Sequence, residues 1–135
     1  MVQASAKWIA ETEAGTKFEG HSSHAITMDG SSKGGNSPME LVLIALCGCT
    51  AYDVVTILQK KREPFTAVEV RAEAEKAADP PRVYTTIKLV YRVKGEVARK
   101  AVEDAVRLSE EKYCSVAAML NKTAKITYEI ELDPK

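Results

Sequence analysis

Two periodicities of apolar residues divide the chain. Val68, Val70, Ala72 and Ala74 alternate with Glu69, Arg71, Glu73 and Glu75, and Ile87, Leu89, Tyr91 and Val93 alternate with Lys88, Arg92 and Lys94. A period of two predicts half-buried strands, and the turn residues Asp79-Pro80-Pro81 between them predict an antiparallel pair. The mainly acidic outer residues of the first strand are expected to pair with the basic ones of the second. Ile126, Tyr128, Ile130 and Leu132 predict a last strand. Weaker strand candidates in the N-terminal third are Ala4 to Ala10, Lys17 to Glu19 and His24 to Met28, joined by Gly15 and Gly20. Apolar residues at 97, 98, 101, 102, 105, 106 and 108 follow the helical period, predicting an amphipathic helix from Glu96 to Lys112 and a short one from Ser115 to Asn121.

The stretch Leu41 to Tyr52 carries no charge, and its flanks are those of a helix. Ser37-Pro38-Met39-Glu40 places serine at the N-cap, proline at the first helical position and glutamate at the third, a capping box. Lys60, Lys61 and Arg62 stand where the helix dipole favours cations, and Pro64 forbids continuation. The uncharged part is shorter than the roughly 20 residues a bilayer requires, so a central helix buried on most sides is expected. From Pro38 to about Arg62 such a helix would be roughly 36 Å long, more than twice the radius of gyration of roughly 14 Å expected for this chain. A homodimer sharing the helix is the expected way to cover it.

The remaining composition narrows the classes. With 135 residues, 45% of them hydrophobic, the chain fits one α+β domain over 1–135. Nineteen basic residues balance nineteen acidic ones, which removes the long-range field that nucleic acid or an anionic membrane would need. The N-terminus has no basic stretch followed by an apolar one, and three cysteines do not form the even set of a secreted disulfide framework, so the cytoplasm is expected. The loop Asp29 to Asn36 is glycine-rich and expected to be flexible, but it lacks the GxxxxGK[ST] spacing of a phosphate loop.

Candidate chemistry rests on the thiols. Cys47 and Cys49 stand two positions apart on a helix, so they point to nearly opposite faces and cannot bridge each other. The only histidines, His21 and His24, lie in a distant segment, and neither a metal nor a cofactor is expected. Cys47, beside Gly48, reads as a packing residue. Cys49 has Asp53 one turn later on the same face, a charge that must find a polar partner in an apolar segment. Cys114 precedes the short helix, where amide groups can stabilise a thiolate. Buried structural cysteines and a Cys49/Cys114 redox couple both remain open on these grounds.

The segments Ser37-Pro38-Met39-Glu40-Leu41, Ala45 to Val55 and Leu108 to Val116 resemble the two signature segments of the OsmC/Ohr family, most closely its YhfA-like branch. Trp8, Met28-Asp29-Gly30, Arg62 and the closing strand extend the resemblance over nearly the whole chain. It implies an OsmC-like fold, with antiparallel sheets wrapped around a long central helix in an intertwined homodimer, and thiol-dependent reduction of organic hydroperoxides. By motif, Cys49 is the peroxidatic residue and Cys114 the resolving residue, with a lipoyl or thioredoxin-like dithiol as reductant. Two positions depart from the family pattern. The arginine of the N-terminal strands is missing, with only Lys7, Lys17 and Lys33 as upstream cations, and the carboxylate that holds it is replaced by Met39. Glu40, one place later, is the candidate substitute, competing with its capping role. The alternative function is a non-enzymatic dimer that uses the same cleft to bind a small apolar ligand or to sense oxidants.

Overall fold

Three strands open the chain because residues 5–29 alternate short extended runs with turn residues. The computed structural model describes residues 1–12 and 15–135, the side chains of 10–12 excepted. Strands β1 (Ser5–Thr12), β2 (Gly15–His21) and β3 (Ala25–Asp29) form an antiparallel sheet in that order, with Trp8 opposite Phe18 and Phe18 opposite Met28. Gly20 is not the joint expected from the sequence. It lies inside β2, where an added Cβ would come within 2.9 Å of Met28 Cε, and the turn falls instead at 22–24, closed by the Ser22 N–H donating to the His24 carbonyl.

The glycine-rich loop after β3 is hydrogen-bonded to Asp29. Asp29 is fully buried, and its carboxylate accepts from the Ser31 N–H at 2.8 Å, the Ser31 hydroxyl at 2.6 Å and the Gly34 N–H at 2.9 Å. These bonds, the Ser31 hydroxyl first, hold the Asp29 carboxyl below its ordinary 3.8. A group depressed in this way stabilises the fold above 3.8 and loses that contribution as the pH falls through its folded value. Asp29→Ala is therefore expected to lower the urea midpoint at pH 7, with the gap to the unmutated protein closing in acid below pH 3.8.

Helix α1 (Pro38–Lys60) starts at the expected capping box. The Glu40 N–H donates to Ser37 Oγ, and Glu40 Oε1 accepts from the Ser37 N–H at 2.8 Å. It ends two residues before the expected Arg62, which instead takes a left-handed φ of 57°. The Arg62 N–H donates to the Gln59 carbonyl and the Glu63 N–H to the Leu58 carbonyl, the paired closure of a helix C-terminus. Over its 23 residues α1 is long and apolar enough to cross a membrane by length and composition alone. Burial on most sides is not what a single chain provides. Leu46, Thr50, Val54 and Leu58, four apart, form the buried ridge, while Ile44 is 51% and Tyr52 72% exposed.

From residue 44 onward the chain forms a second compact unit. Strands β4 (Phe65–Lys76), β5 (Tyr84–Gly95) and β6 (Lys125–Asp133) make a sheet with β5 in the centre. β4 pairs antiparallel with β5 as expected, with Glu73 opposite Lys88 and Glu69 opposite Arg92. β6 pairs parallel to β5, so this sheet is mixed rather than antiparallel. A parallel neighbour requires a long crossover, which is the helical stretch between the two strands. The central place of β5 also redirects its charges: Lys88 pairs with Glu129 at 2.9 Å and Arg92 with Asp133 at 3.3 Å, both on β6, rather than with the acidic residues of β4. These pairs are about half exposed and serve register more than stability.

The crossover holds the two expected helices, but the first is α-helical only from Arg99 to Leu108 rather than from Glu96 to Lys112. Helix α2 (Arg99–Leu108) buries Ala101, Val102, Ala105 and Val106, then widens into a π-helical turn (Ser109–Tyr113) before helix α3 (Ser115–Leu120). The Cys114 N–H closes the turn on the Ser109 carbonyl, five residues back, at 2.8 Å. Ile87, Leu89, Tyr91 and Val93 of β5 supply the core of this unit with Leu46, Val54 and Leu58.

Candidate functional site

The two thiols of interest meet because β5 and the crossover bring α3 to α1. Cys49 is half-buried on α1, and Cys114 is buried at the N-cap of α3. All three cysteines are free thiols. Cys49 lies near enough to Cys114 to act on its ionisation through hydrogen bonding and charge, so the two thiols are neighbours. Cys47 is half-buried, and burial raises its pKa, as befits a packing residue on another face of the helix.

The expectation that the N-terminus of α3 would favour a Cys114 thiolate is only half met. The Ala117 N–H does donate to Cys114 Sγ at 3.4 Å, which lowers the pKa. Burial outweighs it, and with Cys49 and Glu110 adding to the rise the thiol is pushed up to about 12. At pH 9, where an ordinary thiol is half ionised, Cys114 is therefore expected to stay protonated and to be the slowest of the three cysteines to react with iodoacetamide, as read by peptide mass.

Next to the thiols lies a connected set of polar side chains. Ser109 Oγ donates to Asp53 Oδ2 at 2.8 Å, and Ser109 Oγ and Tyr91 Oη each lie 2.7 Å from Thr50 Oγ1. Tyr91 Oη donates to Glu110 Oε1 at 2.7 Å. Thr50, Tyr91 and Ser109 are fully buried. Burial also raises the Glu110 pKa, opposed by the Tyr91 hydrogen bond and reinforced by the negative charge of Asp53. The partner that Asp53 required is thus Ser109, presented by the π-helical turn. Thr50, Tyr91, Ser109 and Glu110 were not singled out in the sequence. The only signal was Tyr91, a hydroxyl carried on the inward face of an apolar strand.

Asp53 also borders a cleft of about 410 Å³, lined among others by Tyr52, Ile57, Leu108 and Tyr113, with Lys60 and Lys61 at one end. Among the described residues no group of three His, Cys, Asp or Glu side chains is placed to hold a metal ion. The third expected site residue, Glu40, is engaged at the start of α1, where it accepts from the Ser37 N–H and from the Ser32 hydroxyl at 2.7 Å. Arg62 lies past the other end of the helix, roughly 20 Å along the axis from Cys49 by helix rise.

The family model described as OsmC-like protein matches residues 29–129. The chain belongs to the OsmC family. It is 45% identical to Protein YhfA of Escherichia coli K12, over 97% of this chain and 98% of that protein. A solved structure of a hypothetical protein from Aquifex aeolicus is 33% identical and superimposes with a TM-score of 0.80, covering 98% of this chain and 99% of that one. The organic hydroperoxide resistance protein OsmC of Legionella pneumophila shares the OsmC fold, with a TM-score of 0.71 at 14% identity over 97% of this chain and 96% of that one. The α+β architecture with a long helix and two sheets is therefore that of the OsmC family.

Proposed function

We propose that this OsmC family member is a thiol-dependent peroxidase that reduces organic hydroperoxides, with Cys49 as the attacking residue and Cys114 as the resolving one. The observation that carries the reading is that these two thiols are neighbours, each within reach of the other's charge. In the first step the Cys49 thiolate attacks the terminal peroxide oxygen; the S–O bond forms, the O–O bond breaks, and the alkoxide takes a proton to leave as alcohol. In the second, the Cys114 thiol attacks the Cys49 sulfenic sulfur, forming the S–S bond and releasing water. An external dithiol, lipoyl or thioredoxin-like, then reduces the disulfide by exchange and is itself oxidised. The apolar lining near Asp53 suits an alkyl hydroperoxide better than hydrogen peroxide. In this reading Glu40 fixes the start of α1 as a helix cap, and the reaction takes place in the cytoplasm.

The working unit is a homodimer. The exposed apolar row Ile44, Gly48 and Tyr52 on α1 is the surface a second copy would cover. A second reading, ligand binding or slow oxidant sensing without turnover, draws on the same cleft and on the high pKa of Cys114. The test is intact mass and non-reducing peptide mapping of the reduced protein after a small excess of cumene hydroperoxide, with hydrogen peroxide in parallel. Rapid loss of two hydrogens, mapped to Cys49 and Cys114 and faster with the organic peroxide, is the expected result. Thiols that stay reduced for many minutes would favour the second reading.

A further inference from the structure

The polar set beside the thiols is one hydrogen short when both of its carboxyls are ionised. Four contacts link five side chains in a line from Asp53 through Ser109, Thr50 and Tyr91 to Glu110. Each contact needs one hydrogen. The three hydroxyls bring one hydrogen apiece, and an ionised carboxylate brings none. With both ends ionised, Ser109 gives its hydrogen to Asp53 and Tyr91 gives its own to Glu110. Thr50 is left with a single hydrogen for its two contacts, each 2.7 Å long. One pair of buried oxygens would then meet at that distance with nothing between them. A single extra proton on either carboxyl completes the line.

We infer that Asp53, Ser109, Thr50, Tyr91 and Glu110 form a proton relay that holds one proton between its two carboxyl ends and serves the two thiols from opposite sides. With the proton on Asp53, each group donates to the next as far as Glu110; with it on Glu110, every hydroxyl points the other way. No hydroxyl becomes charged in either arrangement. Burial first, and then the charge of Asp53, raises the pKa of Glu110, the direction in which a carboxyl holds a proton more firmly. The groups facing Glu110 are Tyr91, Asp53 and Cys114. Asp53 accepts from Ser109, and the titratable groups that line the cleft with it are Tyr52, Tyr113, Lys60 and Lys61.

The use of the relay rests on the peroxidase reading. Asp53 stands one helical turn after Cys49, their Cβ atoms about 5–6 Å apart, and the charge of Glu110 is felt at Cys114. As Cys114 attacks the sulfenic acid, its S–H bond breaks and the Glu110 carboxylate takes the proton. The S–S bond forms, the Cys49 S–O bond breaks, and the departing hydroxide takes the proton of Asp53 and leaves as water. The Cys114 sulfur is oxidised and the Cys49 sulfur reduced. The proton then returns from Glu110 through Tyr91, Thr50 and Ser109 to Asp53, so the cycle consumes none. A thiol with a pKa pushed up to about 12 needs such a base to act as a nucleophile near neutrality.

The test is a carbon-13 carboxyl titration of the full-length reduced protein by NMR, on the unmutated chain and on Thr50→Val and Thr50→Ser. The unmutated chain and Thr50→Ser are expected to keep one proton on the Asp53/Glu110 pair at pH 7. Thr50→Val leaves two hydroxyls for two contacts, so both carboxyls should ionise at pH 7. A role of Thr50 in packing alone predicts the reverse, because a more apolar neighbour raises a carboxyl pKa. Two ionised carboxyls in the unmutated chain, or a Thr50→Val protein that keeps its proton, would overturn the relay. This arm needs no peroxide and stands whether or not the protein is a peroxidase. In the kinetic arm, Thr50→Val should accumulate the Cys49 sulfenic acid and form the disulfide at least about tenfold more slowly, with Thr50→Ser restoring the rate. Disulfide formation at the unmutated rate in Thr50→Val would remove the relay from the reaction. No disulfide in the unmutated chain would instead overturn the peroxidase reading.

Discussion

Cys49→Ser is expected to abolish peroxide reduction, and Cys114→Ser to leave one turnover that ends in a trapped sulfenic acid. The asymmetry follows from the proposed order of the steps. A serine hydroxyl in place of the Cys49 thiol has no thiolate to attack the O–O bond, so the loss should be at least about 10³-fold, the scale on which removal of a nucleophile is felt. Without Cys114 the first step survives, because the resolving thiol enters only after the sulfur has been oxidised. Trapping with dimedone and intact mass would report one added label on Cys114→Ser and none on Cys49→Ser. A Cys49→Ser protein that still turned over would sink the assignment of the attacking residue. One that lost its fold would be recognised by circular dichroism, and Cys49→Ala, which keeps the helix and removes the sulfur, would then carry the test.

The second large effect concerns the assembly. Gly48 lies in the middle of α1, and an added Cβ there would meet nothing within 4 Å among the described residues of the single chain. A glycine inside a helix costs roughly 0.5–1 kcal/mol relative to alanine, and a lone chain has no steric use for it at this position. If the face were free, Gly48→Glu would be neutral or slightly stabilising. In the proposed homodimer the same change would bury an unpaired carboxylate against a close-packed partner, at a cost of several kcal/mol. Gly48→Glu is therefore expected to convert a particle of twice the 14.8 kDa chain mass to one of 14.8 kDa in sedimentation equilibrium, while Gly48→Ala weakens association less. A monomeric unmutated chain, or a Gly48→Glu dimer of unchanged affinity, would refute the shared-helix assembly.

Both effects concern residues that the chain itself singles out. The capping box at Ser37 to Glu40, the alternation in 68–75 and 87–94, the closing strand and the two helices of the crossover were all legible, because local hydrogen bonding and the side-chain periods of helix and strand are written within a few residues. Cys49 and Cys114 were legible as candidates, and Asp53 as a charge in need of a partner, because an ionisable group in an apolar run is costly wherever the fold takes it. The resemblance of two short segments to the OsmC/Ohr family then pointed to the fold, which the family match supports.

Other features were decided only by the tertiary structure, for reasons of distance along the chain. The parallel pairing of β6 with β5 depends on where a crossover of some thirty residues returns, which no local pattern states. The π-helical turn keeps a helical apolar pattern up to Leu108, yet sets Ser109 and Glu110 toward residues 50, 53 and 91. The ion pairs of β5 turned to β6 because the strand is central. The proton count of the Asp53 to Glu110 line appears only once three separate stretches of sequence meet. By itself the sequence determined which elements form, how they are capped and which thiols could react. What each buried polar group faces, and so how many protons the site must hold, was left to tertiary packing, because hydrogen-bond satisfaction in a core is settled between residues that the chain keeps far apart.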